Sequence, residues 1–153
     1  MKLAHTVEIS VFCKDAENLE QVRLGLIRLI PFDIQAERVK ISETEAEGLT
    51  GNKIMILSVR LTNERQVRLF VENLLRLIGK EGIITLLSQL ESRLDEDLFF
   101  FIRLSKPDWL DGRAILTDSG NCYHIKILIA AYPKNKQAGL RTLREYLEKE
   151  KTF

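Results

Sequence analysis

Between Thr6 and Val11 the chain alternates without exception: Val7, Ile9 and Val11 are apolar and β-branched, while Thr6, Glu8 and Ser10 are polar. Successive side chains of a strand point to opposite faces, so this segment buries one face and leaves the other wet. Whatever fold the chain adopts must therefore include a half-buried strand near its start.

The rest of the chain reads as elements that can cover that strand's dry face. Asp15 stands where a helix cap belongs, and Leu19, Val22, Leu26 and Leu29 recur at helical spacing until Pro31. Residues 34–41 interleave β-branched and charged positions and read as a second strand; the polar stretch 42–52, with Gly48 and Gly51, reads as a mobile loop. Lys53–Leu61 is nearly continuous apolar sequence, as a buried central strand would be. Asn63, with Gln66 three residues on, resembles a capping box. It opens a helix whose stripe is Val67, Phe70, Val71, Leu74, Leu75 and Ile78, broken at Gly79 and followed by a second stripe of Ile83, Leu86, Leu87, Leu90 and Leu94. Residues 98–104 make a fourth strand, 113–116 a short fifth and 122–131 a sixth. The last two are joined by the hairpin signal Asp118-Ser119-Gly120-Asn121. Leu140, Leu143 and Leu147 line a final helix. Hairpin connections outnumber crossovers in this β-α-β-β-α-α-β-β-β-α order. The expectation is one α+β domain over residues 1–153, with a mainly antiparallel sheet and helices packed on one face.

Composition excludes more than it assigns. A chain of 153 residues, 45% hydrophobic and 29% charged, can bury a proper core, but a formal net charge of +1 leaves no basic arm or acidic tail. Any polyanion would have to meet a local patch. Cys13 and Cys122 lie in apolar strands without a CxxC or a histidine cluster and read as reduced core residues. The chain opens directly into strand pattern, and no apolar run approaches a membrane span, so a cytoplasmic location is expected. His5 and His124 are the two histidines, both on strands, and a histidine pair without a third ligand makes a poor metal site. The acidic run Asp95, Glu96, Asp97 reads as a solvated turn, although consecutive carboxylates can also hold a divalent cation. No GxSxG, HExxH, P-loop or GxGxxG occurs. Neither an enzyme nor a cofactor or metal is expected.

The binding features are individually weak. The segment Gly48-Leu49-Thr50-Gly51-Asn52-Lys53 can present amide groups and a cation to phosphate, or simply connect two strands. Arg103 and Lys106 end the Phe-rich strand, Arg113 lies across the next loop, and together with Lys126 they can form a cationic sheet edge; the last helix adds Arg141 and Arg144. Trp109 and Tyr123 are candidate stacking groups for single-stranded bases, although a Trp in a loop flanked by Pro107 and Asp108 reads rather as packed over the end of the sheet. Phe99, Phe100 and Phe101 cannot all face one side, so either both faces are covered or one phenyl face meets a partner. A homodimeric interaction scaffold without nucleic-acid binding, using Phe99, Phe101, Ile127 and Ile129 as its contact face, is the competing reading.

The opening HTVEISVFCKDAENLEQVRLGLIRLIP, the loop EGLTGNKIMILSVRL and the segment RLDEDLFFFIRLSK resemble, in that order, the archaeal RNA-binding family described as predicted exosome subunits. The resemblance runs from about His5 to Leu147. It implies a fold similar to double-stranded-RNA-binding domains and to a ribosomal protein of the large subunit. It also implies a non-catalytic RNA-binding protein, an accessory factor in RNA processing or degradation, acting as a dimer within a processing complex. The partner so implied is RNA, double-stranded or otherwise structured, with no membrane. Gly48, Gly51, Asn52 and Lys53 match the family's loop, whereas Leu49 and Thr50 stand where it carries polar or basic side chains. Arg93, Asp95, Glu96 and Asp97 match its acidic turn. Phosphate contacts are then expected from Arg103, Lys106, Lys126, Arg141 and Arg144.

Overall fold

The computed structural model describes residues 2–151. Met1, where the reading of the chain's opening begins, and the last two positions of the expected 1–153 domain lie outside it. Five strands, β1 (Ala4–Lys14), β2 (Ser42–Glu47), β3 (Lys53–Leu61), β4 (Phe99–Ser105) and β5 (Cys122–Ile129), form one sheet in the order β2-β3-β1-β5-β4. Every neighbouring pair is antiparallel. The helices are α1 (Leu19–Arg28), α2 (Glu64–Ser88), α3 (Leu90–Arg93), α4 (Lys106–Leu110) and α5 (Lys136–Glu150). The α+β class, the antiparallel sheet and the one-sided helical cover are as the sequence led us to expect. No described helix is long and apolar enough to cross a membrane.

The alternation at the start of the chain sets the geometry. Val7, Ile9 and Val11 of β1 are fully buried, as are Leu57, Val59 and Leu61 of β3, Phe100, Ile102 and Leu104 of β4, and Tyr123, Ile125, Ile127 and Ile129 of β5. These positions share one face and pack under Val22, Leu26, Phe70, Leu74, Leu86, Leu143 and Leu147 of the helices. Burial of that many aliphatic side chains, each worth about 1.5–3 kcal/mol, is the main source of stability. The opposite face of the sheet is bare.

Two local readings are corrected. Residues 34–41 are not a strand: the Asp33 carboxylate accepts the amides of Gln35 and Ala36, and the Val39 amide returns to the Ile34 carbonyl at 2.8 Å. This is a capped turn whose Ile34, Val39 and Ile41 lean on the core. The strand lies instead within 42–52, where Ser42–Glu47 pairs with β3 as an exposed edge. Its SETEAE sequence lacks the β-branched alternation because no core faces it.

Asp15 does not cap α1 either. Asn18 does, its side chain accepting the Gln21 amide at 3.1 Å, while Asp15 receives the Lys53 amide from the neighbouring hairpin. Asn63 caps α2 as expected, though Gln66 reaches to Glu37 rather than back to its cap. Gly79 breaks α2 at φ 69°, a left-handed conformation that only glycine adopts without strain. Residues 113–116 run beside β4 through one bridge, Leu104 to Leu116, and the Ser105 and Thr117 amides bond across it. That segment closes the outer edge of β4.

Candidate nucleic-acid interface

The bare face of the sheet is assembled by register. Phe99, Phe101 and Arg103 of β4 lie opposite Leu128, Lys126 and His124 of β5. Lys126 and His124 in turn face Glu8 and Ser10 of β1, which lie opposite Arg60 and Ser58 of β3. Phe12 continues the β1 row opposite Ile56 and is 53% exposed. The result is a surface of half-buried rings interleaved with cations.

The contacts on this face are specific. The Lys126 ammonium sits over the Phe99 ring, 4.1 Å from its centroid, and the rings of Phe101 and His124 meet at 5.5 Å with an interplanar angle of 37°. The Arg103 guanidinium donates to the Asp118 carbonyl at 3.0 Å, which holds it beside His124. At the rim, Arg93 donates to the Phe101 carbonyl at 3.1 Å and to Gln89, pinning α3 to the sheet edge. Two shallow hollows flank the pair Arg103 and His124. Ser10, Phe12 and Gly120 border one, and Gln89, Ser92, Arg93, Phe101 and Asp118 border the other.

The electrostatics of the face can be read from His124. Burial, then the charges of Arg103 and Lys126, hold its ring below the ordinary histidine range, against an opposing pull from Glu8. The folded protein therefore disfavours the charged ring, so this site lowers stability as pH falls below the ordinary histidine value. In Arg103→Ala the His124 midpoint is expected to rise towards that value, read from ring-proton shifts by NMR. An unmoved midpoint would show that the guanidinium does not act on the ring.

Of the cations expected to contact phosphate, only Arg103 and Lys126 share this face. Lys106 is corrected outright. It is 3% exposed, and its ammonium donates to the Phe12 carbonyl and to both oxygens of Glu17 at 3.0 and 3.1 Å. Arg113 pairs with Asp108 and Asp111 within its own turn. Arg141 and Arg144 are exposed on α5, in the helical layer on the far side of the sheet. Lys53 pairs with Glu45 at the β2–β3 hairpin. In that hairpin the amide of Gly48 is taken by the Asn52 carbonyl and that of Gly51 by the Gly48 carbonyl, and the Asn52 side chain donates to Thr50. Gly48, Gly51 and Asn52 thus close a turn and do not form an amide cradle.

Trp109 and Tyr123 cannot stack on bases. They are 5% and 0% exposed, and their polar atoms donate into α1 at the carbonyls of Gly25 and Val22. The proposed contact face of Phe99, Phe101, Ile127 and Ile129 is split as well, since Ile127 lies opposite Phe100 and points into the core. Asp95 accepts the amides of Asp97 and Phe99 at 2.9 Å each, a turn cap. Among the described residues, no three His, Cys, Asp or Glu side chains are placed to hold a metal ion. Sequence reasoning missed His124, Phe12 and Arg60. Part of the signal for the first was present, because His124 and Lys126 stand two apart on one strand and so share a face, as Phe101 and Arg103 do.

The family model described as RNA binding matches residues 6–131. The chain belongs to this RNA-binding family. An RNA-binding protein of Pyrococcus abyssi is 32% identical over 147 residues, 96% of each chain. A crystal structure from Archaeoglobus fulgidus is 30% identical and superposes with a TM-score of 0.82 over 93% of this chain and 98% of its own. A structure from Methanothermobacter thermautotrophicus is 28% identical, with a TM-score of 0.78 over 95% and 98%. The matched family segment contains the whole bare face of the sheet and ends before α5, so Arg141 and Arg144 fall outside it.

Proposed function

We propose that this member of the RNA-binding family is a non-catalytic, cytoplasmic RNA-binding protein that grips RNA on the bare face of its sheet. The observation that carries this reading is the convergence, by strand register, of Arg103 and Lys126 with the rings of Phe99, Phe101 and His124 on the sheet face that the helices leave uncovered. A polyanion is drawn to such a site even on a protein of near-zero net charge, because phosphate contacts act locally. The further roles, as an accessory factor in RNA processing or degradation and as a member of an exosome-like complex, rest on the resemblance of the opening, loop and acidic-turn segments. The non-catalytic reading draws on Asp95, whose carboxylate is taken up as a turn cap.

The test is fluorescence anisotropy of a labelled RNA at two salt concentrations. Arg103→Ala/Lys126→Ala is expected to weaken binding by on the order of tenfold or more, and to reduce the salt slope by about 0.7–0.9 per cation removed. Arg141→Ala/Arg144→Ala is expected to change little. The reverse ranking would move the site to α5 and end this assignment.

A second reading uses the same face. Phe12, exposed beside Ile56, forms an apolar end on which a second copy can sit, giving a homodimer. Sedimentation with and without RNA separates the two, since an interaction scaffold would be dimeric and indifferent to polyanions.

A further inference from the structure

We propose that the RNA is taken as a single strand lying obliquely across β1, β5 and β4, with one base on the exposed ring of Phe12 and the next on the Phe101–His124 pair. This rests on the reading of the bare face as the RNA site. It adds the form of the RNA and the role of each ring.

The two hollows on this face meet at Arg103 and His124. Each offers a π surface and polar atoms to a flat ligand. In one, Phe12 is flanked by the Ser10 hydroxyl and by Gly120, where no side chain fills the space. In the other, the Phe101 ring lies next to Ser92 and Gln89. Arg103 lies in the cross-strand row of Ser10 and His124, between the rows of Phe12 and Phe101, and Lys126 lies beside Phe101, where a sugar-phosphate link would pass. His124, whose charged form is disfavoured by burial and by Arg103 and Lys126, suits a stacking or hydrogen-bonding role better than a phosphate contact.

A duplex fits this surface badly. Its bases are stacked inside and cannot reach Phe12 or Phe101, and duplex recognition by shape needs a helix and a loop spaced to meet successive backbones. Here the cations of α5 and of the β2–β3 hairpin lie away from the sheet face. Base stacking on aromatic side chains tolerates any sequence, so little base preference is expected.

The experiment compares a short single-stranded RNA with a duplex of the same length, using anisotropy and the full chain. The single strand carries 2-aminopurine at an internal position. The single strand is expected to bind at least tenfold tighter than the duplex, about 1.4 kcal/mol, and its 2-aminopurine emission is expected to be quenched on binding wild-type protein. Phe101→Leu is expected to lower single-strand affinity about tenfold with little effect on duplex binding. The quenching reports stacking without any variant, so a misfolded variant leaves that arm intact. Equal or tighter duplex binding that still depends on Arg103 and Lys126 would overturn the single-strand proposal while leaving the RNA reading in place. Binding of the single strand without quenching would overturn the stacking. No binding to either RNA would overturn both readings together.

Discussion

Glu17→Ala is expected to lower the free energy of unfolding by about 3 kcal/mol, the low end of the range for stranding a buried charge. The Lys106 ammonium is shut in beneath the end of β1, where its partners are the Phe12 carbonyl and the Glu17 carboxylate. Without Glu17 a full positive charge stays buried against one neutral carbonyl. Lys106→Met is expected to cost much less, because Glu17 is 27% exposed and its carboxylate can turn to water.

The effect depends on pH. Burial opposes ionisation of Glu17, but the Lys14 amide and Lys106 outweigh it and hold the carboxyl below its ordinary range. A depressed carboxylate contributes stability that is present above the ordinary glutamate value and lost as pH falls through the folded one. The gap between wild type and Glu17→Ala in chemical denaturation should therefore narrow in acid. A gap that is constant from neutral pH to pH values below the carboxylate range would show that the ion pair is not its cause.

Gly25→Ala is expected to cost about 2 kcal/mol. α1 crosses the sheet so closely at Gly25 that an added methyl would strike the Tyr123 hydroxyl and come to 3.0 Å from its Cζ and 3.2 Å from Leu110 Cδ2. Both aromatic anchors of this contact are buried: Trp109 donates to the Gly25 carbonyl at 2.7 Å and Tyr123 to the Val22 carbonyl at 2.8 Å. Overpacking of this kind costs roughly 1–3 kcal/mol, and disrupting the hydroxyl bond adds about 1, while the better helix propensity of alanine returns up to about 1. Tyr123→Phe alone should cost about 1 kcal/mol. Combining the two removes the struck atom, so thermal unfolding of the double variant should show less loss than the sum of the singles. Strict additivity would mean that helix and ring do not compete for that space.

What could be read in advance divides along physical lines. The strands β1, β3, β4 and β5, the stripes of α2 and α5, the Asn63 cap and the break at Gly79 are all written in local periodicity or backbone need, and all were legible. β2 was not, because an edge strand facing no core keeps no apolar alternation, and the apolar residues of 34–41 imitate one while serving a capped turn. The site was half legible. Arg103 and Lys126 could be named, but their convergence depends on cross-strand register. Lys106 reads as a basic strand end until Glu17, 89 residues away, draws it inside. Trp109 could be read as packed over the end of the sheet, but its partner, the Gly25 carbonyl of α1, and the matching anchor of Tyr123 at Val22 could not.

The borders of the sheet also limit how copies of this chain can meet. One outer strand, β2, is lined with Glu43, Glu45 and Glu47, and the other, β4, is closed by the 115–117 segment and by Arg93 bonding to the Phe101 carbonyl. An incoming strand from another molecule would meet a row of charged side chains at one border and backbone groups that are already bonded at the other. Growth by strand addition, whether towards a partner peptide or towards fibrils, is thereby discouraged, and assembly is left to the broad surface between the borders.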